Sequence, residues 1–118
     1  MLQTAALLLF VHFVGDFLFQ STDMAVNKAK SLKWLFIHVS VYTGILFLAS
    51  ILIFGIEYAP TFALVNGGFH LVTDFFTSKM NAKLFLREDK RWYYSGIGFD
   101  QFIHGATLLL TYDYLIVQ

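Results

Sequence analysis

The chain has 118 residues, enough for a single domain over 1–118, and a formal net charge of zero, which gives no electrostatic reason to expect nucleic acid or an acidic partner. Hydrophobic residues make up 58% of it and charged residues 14%, an oilier balance than an ordinary soluble domain has. Cysteine is absent, which excludes disulfides and thiolate ligands, so any metal must be held by imidazole and carboxylate.

The first apolar stretch covers about 2–19 and contains His12 and Asp16. It lacks the basic leader and the small-residue cleavage site of a signal peptide, and is expected to be a retained helix. Lys28, Lys30 and Lys33 follow, then Trp34 and a second stretch at about 35–56 with an early His38. The connection near Glu57 carries no base, and Pro60 suits the first turn of a third helix, where no amide donor is lost. That stretch, about 61–78, holds His70 and Asp74, and is followed by Lys79, Lys83, Arg87, Lys90 and Arg91. After Trp92, Tyr93 and Tyr94 comes a fourth stretch, about 95–112, with Asp100 and His104.

Each stretch is near the ~20 residues that cross a bilayer as a helix. Helices satisfy their own backbone groups in lipid, so the predicted fold is all-α: a four-helix transmembrane bundle. All eight Lys and Arg residues lie in the first and third connections. The positive-inside rule then puts both basic loops in the cytoplasm and both termini outside, in a multi-pass protein of the cell's inner membrane, with Trp34 and 92–94 as an interfacial aromatic belt.

Ionisable side chains at membrane depth are costly and normally mark a site of action. The two outward-to-inward stretches read His12-x-x-x-Asp16 and His70-x-x-x-Asp74; the fourth, running the other way, reads Asp100-x-x-x-His104. The order reverses where the chain direction reverses, so Asp always lies nearer the cytoplasm and His deeper. At 1.5 Å per residue, Asp16, His38, Asp74 and Asp100 share a layer roughly 6 Å into the helical region, with His12, His70 and His104 on the order of 12–14 Å in. Residues at i and i+4 share a helix face, so three helices can aim an imidazole and a carboxylate at one point. The likeness of the segments beginning at His12 and His70 also suggests two related helical hairpins. Gly15, Gly67, Gly68, Gly98 and Gly105 lie near these positions and are expected to let helices approach closely. Gln20, Asn66, Thr73, Thr77 and Gln101 read as packing groups, with Gln101 pointing away from Asp100. The basic stretch 79–91 reads as a topological loop that also attracts anionic headgroups.

Imidazole and carboxylate without thiolate suit Zn²⁺ first, with Mn²⁺, Fe²⁺ and Ni²⁺ as alternatives. Seven candidate ligands (His12, Asp16, His38, His70, Asp74, Asp100 and His104) exceed one tetrahedral site and fit a metal pair better. Such a pair activates water and clamps a phosphoryl or acyl oxygen. There is no nucleophile elbow, phosphate-binding loop or dinucleotide fingerprint, so metal-activated water is the catalytic route on offer, with Asp100 and Asp74 the candidate catalytic carboxylates.

The segment His12-Phe-Val-Gly-Asp16-Phe-Leu-Phe-Gln20 with Met24-Ala and Asn27-Lys28, the segment His70-x-x-x-Asp74-Phe-Phe-Thr-Ser78, and Gly98-Phe-Asp100-Gln101-x-x-His104 together resemble a family of small bacterial and phage membrane proteins, domain of unknown function 3307. That family is distantly similar to YdjM-type membrane-bound metal-dependent hydrolases and, beyond them, to zinc-dependent phospholipase C. The resemblance implies a phosphoester-hydrolase ancestry, with the seven His and Asp residues as ligands or their supports. It departs in one respect: the phospholipases use their terminal amine as a ligand, whereas Met1 is expected on the opposite membrane face.

The expectation is therefore a metal-dependent hydrolase acting on a lipid or lipid-linked phosphoester, with membrane lipids as partners, no nucleic acid, and a homo-oligomer left open. The alternatives are a cation or proton transporter or channel, since His/Asp clusters also serve as ion pathways, and a non-catalytic scaffold stabilised by its metal.

Overall fold

A computed structural model describes residues 2–118, and Met1, with its expected position, lies outside them. Five α-helices follow one another: α1 (Leu2–Phe13), α2 (Thr22–Asn27), α3 (Leu32–Phe54), α4 (Ala59–Leu86) and α5 (Lys90–Tyr112). Wider π-helical turns continue α1 over Val14–Leu18 and α5 over Asp113–Val117. No strand occurs among the described residues, so the all-α expectation holds.

Local chemistry sets the helix ends. The short α2, which the hydropathy pattern does not signal, starts where the Ser21 hydroxyl accepts from the Met24 amide at 3.2 Å. Gly55, at φ +92°, ends α3 in a backbone region that a side chain would strain. Pro60 lies in the first turn of α4, as expected. Asp89 caps α5 by accepting from the Trp92 amide. The basic stretch 79–91, expected as a loop, is helical at both ends: α4 runs on through Lys79 and Lys83 to Leu86, and α5 begins at Lys90.

The four longer helices form a ring in the order α1, α3, α4, α5, each packed on the next, with α5 closing on α1. Close approach is built in at three glycines, Gly15, Gly67 and Gly96, the last against the Asn81 side chain. A Cβ on Gly15 would sit 3.0 Å from the Tyr42 ring, and one on Gly67 would run into the Thr43 hydroxyl. Gly68 and Gly98 face open space instead and serve no helix contact.

The interior of this bundle mixes polar and apolar side chains almost evenly. The buried polar residues, which include all four histidines, outnumber the buried apolar ones. Large apolar side chains cover the outside, among them Leu52 at 89% and Phe76 at 65% exposure. Among the described residues one helix, α3, is long and apolar enough to cross a membrane by length and composition. By that measure the four expected spans reduce to one. The physical reason is visible in the helices: α4 and α5 carry the ionisable residues and the basic stretch, and regular α-helix in α1 ends at Phe13.

Candidate metal centre

The ring of helices turns the seven sequence-predicted His and Asp side chains inward, and all seven are buried. Asp16 comes from the π-turn after α1, His38 from α3, His70 and Asp74 from α4, Asp100 and His104 from α5. The π-turn has no hydropathy signature; such turns are frequent at functional sites, and this one carries Asp16.

Four of these residues converge first. The His38 Nε2 atom lies 3.0 Å from Asp16 Oδ1, 3.1 Å from His70 Nε2 and 3.2 Å from Asp74 Oδ2. His70 Nε2 lies 3.3 Å from Asp16 Oδ1 and 3.5 Å from Asp74 Oδ2. A proton on either imidazole would serve contacts along one N–H direction only, whereas a cation between the four atoms would serve them all. Zinc bonds to nitrogen and oxygen of 2.0–2.2 Å imply tetrahedral edges of roughly 3.3–3.6 Å. The five separations fall within a few tenths of an ångström of that. The buried His and Asp residues present here therefore fit a metal ion.

A second group sits beside the first. His104 Nε2 lies 3.1 Å from Asp100 Oδ1 and 3.3 Å from Asp74 Oδ1. Asp16, Asp100 and His104 also offer ligand atoms within 4.8 Å of one another, as do Asp16, His38, His70 and Asp74. Asp16 thus belongs to both groups, and Asp74 turns one oxygen to each.

His12 has a different position. It falls outside both groups of metal-ligand spacing and uses both ring nitrogens on protein. Nε2 lies 2.7 Å from Gln101 Oε1, an atom that can only accept, and Nδ1 lies 2.9 Å from the Tyr42 hydroxyl. The directions are then set: Tyr42 donates to His12, His12 to Gln101, and the Gln101 amide, at 3.0 Å each, to Asp16 Oδ2 and Asp100 Oδ2. Gln101 therefore points into the site, contrary to the expectation from its place next to Asp100. Its long side chain reaches back across the helix surface, which a helical wheel does not show.

Three further groups escaped the sequence reading or were read as packing. Lys28, just past α2, places Nζ 3.0 Å from Asp74 Oδ2 with its side chain 15% exposed. Thr77, one turn after Thr73 on α4, donates its hydroxyl to Asp100 Oδ1. Tyr42 and His104 sandwich the His70 ring, with both centroid separations 4.0 Å. Stacking holds that imidazole, since the Nδ1 atoms of His70 and His38 are buried with no protein partner. Of the predicted packing groups, Asn66 behaves as expected, bonding Thr111 well away from the cluster.

A cleft of about 490 Å³ leads to this centre between α2, α4 and α5. Asp16, Asp74 and Asp100 line it, with Thr77 and Gln101, and no histidine does. The carboxylates thus face the opening and the imidazoles stand behind them, as the reversal of His and Asp order predicts.

The sequence profile of a protein family of unknown function (DUF3307) matches residues 4–118. The chain belongs to that family. No curated protein and no solved structure matches it. All seven His and Asp positions fall in the part of the chain shared with DUF3307.

Proposed function

We propose that this protein is a membrane-embedded, metal-dependent hydrolase that cleaves a phosphoester in a lipid or lipid-linked substrate. The observation that carries the reading is the set of near-tetrahedral separations among Asp16, His38, His70 and Asp74 at the floor of an open cleft. Membrane embedding is supported by the exposed Phe and Leu side chains around a polar interior. The two basic connections support the cleft end of the bundle as the cytoplasmic one.

Asp16, His38, His70 and Asp74 would hold one divalent ion, zinc by preference. Asp100 and His104, with the second oxygens of Asp16 and Asp74, would hold another. Bound ions would supply polarisation of a phosphoryl oxygen and a lowered pKa for water. The three carboxylates and the Lys28 ammonium leave the site two charges negative. One divalent ion would neutralise that charge, and a second would leave the floor positive enough to receive a phosphate anion.

The protein side of the reaction falls to Asp100. Its side chain is 10% exposed, against 3% for Asp16 and 1% for Asp74, so it is the carboxylate best placed to meet a water in the cleft. Hydrolysis forms a bond from the water oxygen to phosphorus and breaks the bond from phosphorus to the alcohol oxygen. Asp100 accepts the water's proton and returns it to the oxygen of the departing alcohol. Thr77 and Gln101 hold Asp100 in place, and Asp74, the least exposed of the three carboxylates, would serve as a ligand.

The end of the ring beyond the cluster is closed by Leu8, Leu46, Phe62 and Leu108, which favours a dead-end site over an ion pathway. The test is phosphate release from short-chain phospholipids by purified protein in detergent micelles. The reading requires activity that a chelator abolishes, zinc restores, and Asp100→Asn lowers by about 10²–10⁴-fold, the range for losing a general base. Zinc-loaded protein that hydrolyses no phosphoester would leave a metal-stabilised scaffold as the better reading.

A further inference from the structure

The cleft extends well past the metal-ligand floor, and its walls have a chemistry of their own. Gln20, just past the π-turn that follows α1, and Ser78 and Asn81, on α4, all line it. The Oε1 atom of Gln20, the Oγ of Ser78 and the Oδ1 of Asn81 are each buried without a hydrogen-bond partner. Three orphaned polar atoms around one cavity are unusual, because burying a polar group unpaired costs on the order of 1–3 kcal/mol. The two amide oxygens can only accept, while the Ser78 hydroxyl both donates and accepts, so a hydroxyl-bearing ligand, which does both, would complete all three. Away from the floor, the charged residues lining the cleft are Lys28 and Lys30, both cationic. A cationic headgroup is repelled there, and choline has no N–H to donate in any case, whereas neutral hydroxyl groups are not repelled.

We propose that this cleft is a headgroup pocket for a polyol phosphoester, in which Gln20, Ser78 and Asn81 accept hydrogen bonds from hydroxyls of a glycerol- or sugar-type headgroup. Lys28, at 3.0 Å from Asp74, stands where floor and wall meet, within reach of the phosphate. Phe17, Val26 and Phe85 line the cleft and are each exposed on the outer surface, which gives an acyl chain an apolar exit. The inference rests on the proposed function for the placing of the phosphate at the floor. The hydroxyl recognition rests on the wall residues alone.

Native mass spectrometry of the full chain released from detergent micelles counts metal ions and bound lipid on the same particle. The probes are short-chain, non-hydrolysable phosphonate analogues of phosphatidylglycerol, of phosphatidylcholine and of phosphatidic acid, which has the charge but no headgroup. The glycerol form is expected to bind about tenfold more tightly than either other probe, the equivalent of one or two net hydrogen bonds. Ser78→Ala with Asn81→Ala, and separately Gln20→Ala at the less buried helix end, should bring it to the phosphatidic acid level with metal content unchanged. Equal affinity for the glycerol analogue and phosphatidic acid, or a preference that survives both variants, overturns the pocket. A chain that carries no metal but keeps the glycerol preference overturns the hydrolase reading and leaves the pocket standing.

Discussion

At one end of the bundle Leu8, Leu46, Phe62 and Leu108 fill the axis with hydrocarbon. One or two turns along the same faces of the same helices stand His12, His38, His70 and His104, with Asp16, Asp74 and Asp100 beyond. Tyr42 marks the boundary: its ring packs with the hydrocarbon cluster and stacks on His70, and its hydroxyl holds His12. The apolar end needs only shape to hold together. The ionic end needs a compensating charge, because three carboxylates brought together without a cation would repel at short range and low dielectric. The contrast teaches that position along one helix face decides whether a residue packs in hydrocarbon or joins the ionic cluster.

The largest effect should come from removing a carboxylate of the four-residue group whose other oxygen also faces His104, as Asp74 does. Asp74→Ala is expected to abolish metal binding by elemental analysis and to lower stability by about 3–5 kcal/mol, the cost of leaving buried partners uncompensated. His104→Ala removes a ligand from one group only, and about half of the wild-type metal should remain, consistent with two ions at two adjacent sets of ligands. Equal losses in the two variants would mean a single site.

Phe62→Ala probes the other end. A water-solvated core loses about 3–5 kcal/mol for such a truncation. A helix bundle in lipid loses packing but gains little from transfer, so the expected loss is smaller, with metal content unchanged. A full-sized loss in detergent unfolding assays would count against membrane embedding.

His12→Ala should leave metal stoichiometry intact while weakening metal affinity about 10–100-fold, the range for a supporting partner. A complete loss of one ion would instead make His12 a ligand. The smallest effects are expected at the paired glycines. Gly67→Ala should cost about 1–3 kcal/mol by overpacking against Thr43, whereas Gly68→Ala, facing open space, should be neutral or slightly stabilising.

Much of the centre is legible in the sequence because helical direction and side-chain order are coupled. The switch from His-x-x-x-Asp to Asp-x-x-x-His at 100–104 sets the imidazoles and carboxylates at matched depths by residue counting alone. The parts that are not legible depend on side-chain reach or backbone irregularity. Lys28 reads as a topological charge because nothing in its neighbourhood shows that α2 folds it back onto Asp74. Gln101 reads as outward-facing because a helical wheel ignores the length of its side chain. The π-turn at Asp16 leaves no trace in hydropathy at all. The basic stretch after Ser78 reads as loop because its charges mask a helix that the backbone continues to Leu86.

The most direct measurement is an anomalous difference map, recorded at the zinc edge, from crystals of protein loaded with zinc. The account predicts one peak enclosed by Asp16, His38, His70 and Asp74 and a second beside Asp100 and His104. A map with no peak among these side chains, and the cluster held together by Lys28 and imidazole protons alone, would contradict it.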